Sequence, residues 1–340
     1  MKAVVLDETR QLQLVDRPVP EPRSGEVLVR SEYCGICGTD LHAPELEIFA
    51  TPVVMGHEFA GVLAAVGPDV TGWKEGDRVA VNPNANVCGT CEHCRAGRNN
   101  LCNAAINVNS LGVRRDGGMA EYVSIPAVHL VALPEEVDTF RGAWTEPLAV
   151  AVRAVRNSGL RLGDSTAVIG GGPVGLLVLQ LIRRAGATRT MLVEPSELRR
   201  AAAITLGADE AISPQDLSGT LASGDFRLVD RVFECSGHPT AMQTSIDMVA
   251  PGGTIRLIGA SPKPLAFTAL DALYKEINLS ANFIYVGEFA QAIELLSRDL
   301  VDVQSLISTI VPLDDYESAF TALRQPESTI KAFIRTGEAA

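Results

Sequence analysis

Residues 166–175, T-A-V-I-G-G-G-P-V-G, constrain the fold of this 340-residue chain more than any other segment. A short apolar run, Thr166 to Ile169, reads as a buried strand. It enters a glycine-rich turn, and an apolar helical stretch follows from Leu176 to Arg184. G-x-G-x-x-G between a strand and a helix suits a dinucleotide pyrophosphate, because the helix N-terminus offers free N–H groups and the positive end of its dipole. Gly170 allows the tight turn, Gly172 lets the pyrophosphate approach the backbone, and Gly175 lets the helix pack closely on the sheet. A second strand, Thr190 to Val193, ends at Glu194, nineteen residues after Gly175. A carboxylate there bonds the two ribose hydroxyls of NAD and repels the extra phosphate of NADP. Arg199 lies five residues further on and can stack on adenine, pair with Glu194 or accept a 2′-phosphate, which keeps NADP open.

The alternation continues beyond this motif. Residues 231–235 read as a strand, 240–249 as a helix and 251–259 as a turn and strand, so a doubly wound parallel sheet is expected over 146–284. Residues 1–145 are β-rich instead, with short runs at 27–30, 61–66 and 77–81 separated by Gly and Pro. The tail, 285–340, carries amphipathic stretches at 289–298 and 316–323 and a strand at 329–335. It is expected to rejoin the first domain, leaving the α/β unit inserted.

Seven cysteines, an odd number, argue against a disulfide framework. Four of them, Cys88, Cys91, Cys94 and Cys102, form C-x2-C-x2-C-x7-C. The short gaps let a folded-back loop place four sulfurs around one Zn²⁺. The residues between them have loop composition, so the metal must supply local order. Four thiolates close the coordination sphere, so this site holds structure and the chemistry lies elsewhere.

A second, mixed donor set supplies it. Cys37 lies in C-G-I-C-G-T-D-L-H, residues 34–42, His57 and Glu58 in M-G-H-E-F, and Glu146 in W-T-E-P-L-A-V-A. One thiolate, one imidazole and carboxylates can hold Zn²⁺ as a Lewis acid with a position left for substrate. Either Glu58 or Glu146 can complete that sphere. Asp40 can accept the free N–H of His57 and fix its tautomer. Thr39 and His42 supply a hydroxyl and an imidazole for a proton path to solvent.

Lys plus Arg number 29 against 41 for Asp plus Glu, a net charge of −12, which argues against nucleic acid or an anionic membrane as partner. The N-terminal apolar run, residues 3–6, is too short for a secretory signal. The longest apolar tract, 174–182, is too short to span a bilayer. A soluble cytoplasmic protein is expected.

Taken together and in this order, G-I-C-G-T-D-L-H, G-H-E, the four-cysteine loop, T-E-P-L-A-V-A and G-G-G-P-V-G with Glu194 resemble the zinc-dependent medium-chain dehydrogenase/reductase superfamily over nearly the whole chain, within it the sorbitol and threonine dehydrogenase branch. The resemblance implies an α/β fold: a GroES-like β-barrel catalytic domain plus a Rossmann domain, with the active site between them. It implies two zinc ions per chain. Cys37, His57 and Glu58 match catalytic ligands, Glu146 a carboxylate that binds directly or through water, and Cys88, Cys91, Cys94 and Cys102 the structural site. Thr39 and His42 match the proton relay. Val174, Glu194, Arg199, Ile258, Gly259, Ile284 and Tyr285 match NAD contacts. A homotetramer or homodimer is also implied. Polyol dehydrogenases commonly carry an Arg where this chain has Ile284, and an aromatic just after the position of His42, where this chain has Ala43. Both departures point away from sorbitol itself. The expected activity is hydride transfer between a secondary alcohol (polyol, sugar or cyclitol) and NAD. L-Threonine or an amino alcohol is the alternative substrate, and a non-catalytic zinc and nucleotide-binding protein is the remote alternative.

Overall fold

The computed structural model describes residues 1–261 and 263–337. The long strand Glu26–Gly35 organises the first half of the chain. Its alternating apolar residues bury Val27 and Val29 against Phe59, Leu63, Val79, Val81 and Ile125. It lies in a seven-stranded sheet ordered Ile307–Pro312, Lys331–Arg335, Glu26–Gly35, Glu58–Val66, Arg78–Val81 and Leu130–Ala132, with Tyr122–Pro126 also paired to it. A three-stranded sheet of Leu12–Asp16, Lys2–Leu6 and Val53–Val54 covers part of this body.

The second sheet has six parallel strands, in the order Glu210–Ile212, Arg189–Val193, Ser165–Ile169, Val229–Glu234, Val249–Leu257 and Asn278–Ala281. Numbered along the chain within this sheet, the order is 3-2-1-4-5-6, the doubly wound arrangement expected from the sequence. Its direction of winding reverses between Ser165–Ile169 and Val229–Glu234, which opens a crevice at their C-terminal ends. The helix Pro173–Arg184 starts in that crevice, with proline at its first position, where a missing N–H costs nothing. Leu176, Leu177 and Leu179 are fully buried, each contributing about 1.5–3 kcal/mol.

The chain does not leave this unit directly after the sixth parallel strand. The helix Phe289–Ser297 packs on Thr145–Arg156 through Phe289, Ala292, Ile293 and Leu296, spaced for one helical face. Only then do Ile307–Pro312 and Lys331–Arg335 enter the first sheet, the latter antiparallel to Glu26–Gly35. Among the described residues, no helix is long and apolar enough to cross a membrane.

Candidate active site and metal centres

Cys37 follows the strand Glu26–Gly35 and caps a one-turn helix, Gly38–Leu41. Asp40 closes the cap by accepting the Cys37 backbone N–H at 2.9 Å. Its other oxygen lies 3.4 Å from His57 Nδ1, and among the described residues neither buried atom has a hydrogen-bond partner. One fully buried acid therefore sets the position of the cysteine and the orientation of the imidazole. Cys37, His57 and Glu58 bring ligand atoms within 4.8 Å of one another. A thiolate, an oriented imidazole and a carboxylate in that space fit a zinc ion that keeps one position open.

Glu58 stands in register with Gly35 on the neighbouring strand. A Cβ at Gly35 would collide with the Glu58 carboxylate, so a side chain there would displace Glu58. The same carboxylate forms an ion pair with Lys331, which enters from the strand Lys331–Arg335 and also donates to the Ile36 carbonyl at 2.9 Å. The ammonium lies 5.6 Å from the ring centre of Phe333 and 5.9 Å from that of Trp144. Sequence reading did not single out Lys331. Its signal was a lysine inside an otherwise apolar strand, T-I-K-A-F-I-R.

Glu146 stands in the first turn of Thr145–Arg156, buried but outside the group of three converging ligands. Burial raises its carboxyl to about 7, with Glu58 adding and His57 opposing. The Tyr285 hydroxyl rests against it and accepts a hydrogen bond from Asn84 Nδ2 at 3.1 Å. Thr39 Oγ1 is 3.7 Å from Cys37 Sγ. His42, one turn further on, is exposed and 3.6 Å from Glu45. A hydroxyl on the ligand side and an imidazole on the solvent side thus share one short segment.

The four sulfurs of Cys88, Cys91, Cys94 and Cys102 also lie within 4.8 Å of one another. Cys91 Sγ caps the helix Glu92–Arg95 by accepting the Cys94 N–H at 3.4 Å. Cys88 Sγ accepts the Cys91 N–H at 3.4 Å, and Cys102 Sγ that of Cys88 at 3.3 Å. The sequence reading expected loop here, and these sulfur caps explain the short helix found instead. Backbone N–H groups of Thr90 and Cys91 draw the Cys88 thiol down to about 6. Burial, then the neighbouring thiols, push Cys94 up to about 12. The first thiolate is favoured and the next opposed, a conflict that a central dication removes. This donor set fits Zn²⁺.

In the crevice of the parallel sheet, Gly170 has φ +98° and a Cβ on Gly175 would collide with its carbonyl, so both turn positions require glycine. Nothing approaches the place where a Gly172 side chain would be, which leaves an open cradle at the helix N-terminus, and Val174 stands half-buried just inside it. Glu194 is buried, and its carboxylate reaches back to accept the N–H of Gly171 at 2.6 Å and of Ser196 at 3.0 Å. Arg199 donates to the Thr329 carbonyl at 2.8 Å, a partner absent from the three considered from sequence. On the far side of the crevice, Ile258 and Gly259 donate to the Glu234 carbonyl at 2.8 and 2.9 Å. Ile284 adopts φ +41°.

Residues 23–135 match the family model described as alcohol dehydrogenase GroES-like domain, and residues 173–298 that described as zinc-binding dehydrogenase. The chain is 34% identical over 339 residues to L-threonine 3-dehydrogenase of Bacillus velezensis, covering 96% of each protein. It is 34% identical to a probable D-xylulose reductase A of Aspergillus clavatus, covering 94% of this chain and 92% of that protein. A zinc-binding dehydrogenase from Sinorhizobium meliloti 1021, solved bound to NADP, superposes with a TM-score of 0.90 at 32% identity over 98% of both chains. The architecture, the two convergent donor sets and these full-length likenesses place the chain in the zinc-dependent medium-chain dehydrogenase/reductase family, to which it belongs.

Proposed function

We propose that this protein oxidises a secondary alcohol of a polyol, sugar or cyclitol to the ketone, with NAD as the hydride acceptor. The observation that carries the reading is the convergence of Cys37, His57 and Glu58, with the buried Asp40 orienting two of them. Cys37, His57 and Glu58 would hold a zinc ion, which would supply Lewis acidity at the alcohol oxygen, and the glycine turn at 170–175 would hold a nicotinamide dinucleotide, which would supply the hydride acceptor. The chain's own residues do the rest. Thr39 takes the hydroxyl proton and passes it to His42, which releases it to solvent. Asp40 holds the His57 ring, and Glu146 lies beside the ligands as the carboxylate that exchanges with water. Tyr285 and Trp144 close the site to bulk water.

The buried acid Glu194 supports NAD over NADP, since a 2′-phosphate brought to it meets a like charge. We read Cys88, Cys91, Cys94 and Cys102 as a second, structural zinc site, two ions per chain in all. Gly170, Gly172, Val174, Gly175, Arg199, Ile258, Gly259, Ile284 and Tyr285 line the proposed cofactor path. We infer a reducing cytoplasm, which would keep the five cysteine ligands available to zinc. We infer a homodimer or homotetramer: the edge strand Asn278–Ala281 and the neighbouring Leu270, Leu273, Tyr274 and Phe283 are exposed. The similarity to L-threonine 3-dehydrogenase supports the second reading, an amino alcohol.

The test is reduction of NAD and of NADP across polyols, sugars, cyclitols, aminocyclitols and threonine, with zinc counted in parallel. The reading expects turnover with NAD on one vicinal-diol class and two zinc ions per chain. Preference for threonine selects the second reading. Zinc-replete protein without turnover on any alcohol overturns both.

A further inference from the structure

Four consecutive residues on the cofactor side of the crevice are each held by a side chain. Asn100 Nδ2 donates to the Phe283 carbonyl at 2.9 Å, and Asn282 Nδ2 to the Ile284 carbonyl at 3.3 Å. Asn84 Nδ2 donates to the Tyr285 hydroxyl at 3.1 Å, and Glu288 accepts the Val286 N–H at 2.6 Å. At the centre stands Ile284, a β-branched residue at φ +41°, a conformation that persists only where its surroundings over-determine it. The grip has a clear beneficiary, because Tyr285 rests against Glu146 beside the three converging ligands.

Two of these four holds come from the other half of the molecule. Asn84 precedes Cys88 by four residues, and Asn100 lies between Cys94 and Cys102 in the turn Asn99–Leu101. Asn100 is buried, and among the described residues its Oδ1 has no hydrogen-bond partner. The one side-chain hydrogen bond it makes to those residues is therefore the one that crosses to Phe283. Exchanging its amide oxygen and nitrogen would set two oxygens face to face, so the direction of the bond is fixed. Whatever orders the four-cysteine lobe also orders the backbone that carries Asn100.

We propose that Asn100 is a positioning residue that couples the four-cysteine lobe to segment 283–285, holding Ile284 and Tyr285 in place for the cofactor and for Glu146. The lobe then acts on cofactor binding as well as on stability. The proposal rests on the dehydrogenase reading above.

The experiment compares wild type with N100A and N100D as zinc-replete full chains, with metal content, steady-state kinetics and amide hydrogen exchange measured on each. Both variants are expected to keep the wild-type zinc content. KM for NAD should rise about two- to tenfold with kcat changed less than twofold, the effect of one lost hydrogen bond on binding. Exchange at 284–287 should quicken in both. N100D nearly preserves the volume of the side chain but sets a carboxylate oxygen against the Phe283 carbonyl. It should be at least as impaired as N100A, whereas a space-filling role would spare it. If N100A does not fold, N100D carries the comparison. Wild-type KM and wild-type exchange in N100D overturn the proposal. If wild type itself turns over no alcohol, the dehydrogenase reading fails separately. The exchange pattern, with NADH affinity read by fluorescence, then decides the role of Asn100.

Discussion

Glu58 and Lys331 are 273 residues apart in sequence and meet as a buried ion pair at the edge of the ligand cluster. The lysine balances a carboxylate that would otherwise stand uncompensated between two β-strands. Removing one partner of such a pair leaves a buried charge, which costs about 3–5 kcal/mol. K331A should therefore lose stability of that size in urea unfolding of the zinc-free protein, and less with zinc added, because the dication then balances Glu58. A loss below about 1 kcal/mol would mean that water reaches Glu58.

Thr39 sets its hydroxyl 3.7 Å from Cys37 Sγ, on the short helix that His42 caps at its C-terminal end. T39A should lower kcat about 10²- to 10⁴-fold with zinc content unchanged, the range for removing a positioned proton carrier. H42A should cost less, because water can replace an exposed imidazole. Equal losses in the two variants would argue that the proton leaves by another route.

Glu194 places its carboxylate between the N–H groups of Gly171 and Ser196, at the turn where the cofactor ribose is expected. E194Q keeps an acceptor and removes the charge. The ratio of kcat/KM for NADP to that for NAD should rise about tenfold or more, the effect of losing about 1.4 kcal/mol of repulsion. An unchanged ratio would remove Glu194 from cofactor selection.

His129 lies outside the site and reports on the first sheet. It is buried, with Nδ1 2.7 Å from the Asn82 carbonyl, and burial lowers its pKa from the usual 6.5 to about 4. A depressed folded value means that the unfolded chain binds the proton first on acidification. The contribution of the neutral ring is therefore complete above pH 6.5 and is lost as pH falls toward 4, on the order of 3 kcal/mol in all. Urea unfolding at pH 7, 6 and 5 should show a steeper decline for wild type than for H129Q. Parallel declines would show that the ring is hydrated.

The sequence made the local chemistry legible. The cysteine spacing, the glycine turn and the order of the motifs depend on neighbours along the chain, and the structure gathers Cys88, Cys91, Cys94 and Cys102 on one side and Cys37, His57 and Glu58 on the other. Lys331, Asn84 and Asn100 were not legible as functional residues. Each acts on a partner far away in sequence, Glu58, Tyr285 and Phe283 respectively, and a single lysine or asparagine carries no periodic signal. The sulfur-capped helix Glu92–Arg95 escaped for another reason. Its residues have loop composition, and its cap is Cys91 Sγ, a group that helix rules of thumb do not count as a cap.

The strand Lys331–Arg335 also sets an order of assembly during synthesis. Cys37, His57 and Glu58 leave the ribosome long before the cation that balances Glu58. At about 5–20 residues per second, the 273 residues between Glu58 and Lys331 take roughly 14–55 s to make. Throughout that interval the nascent first sheet lacks the strand that covers the pocket, and Glu58 keeps its water. The strand that dries the metal pocket is thus made well after the ligands it covers, and a zinc ion that arrives early meets a site still open to solvent.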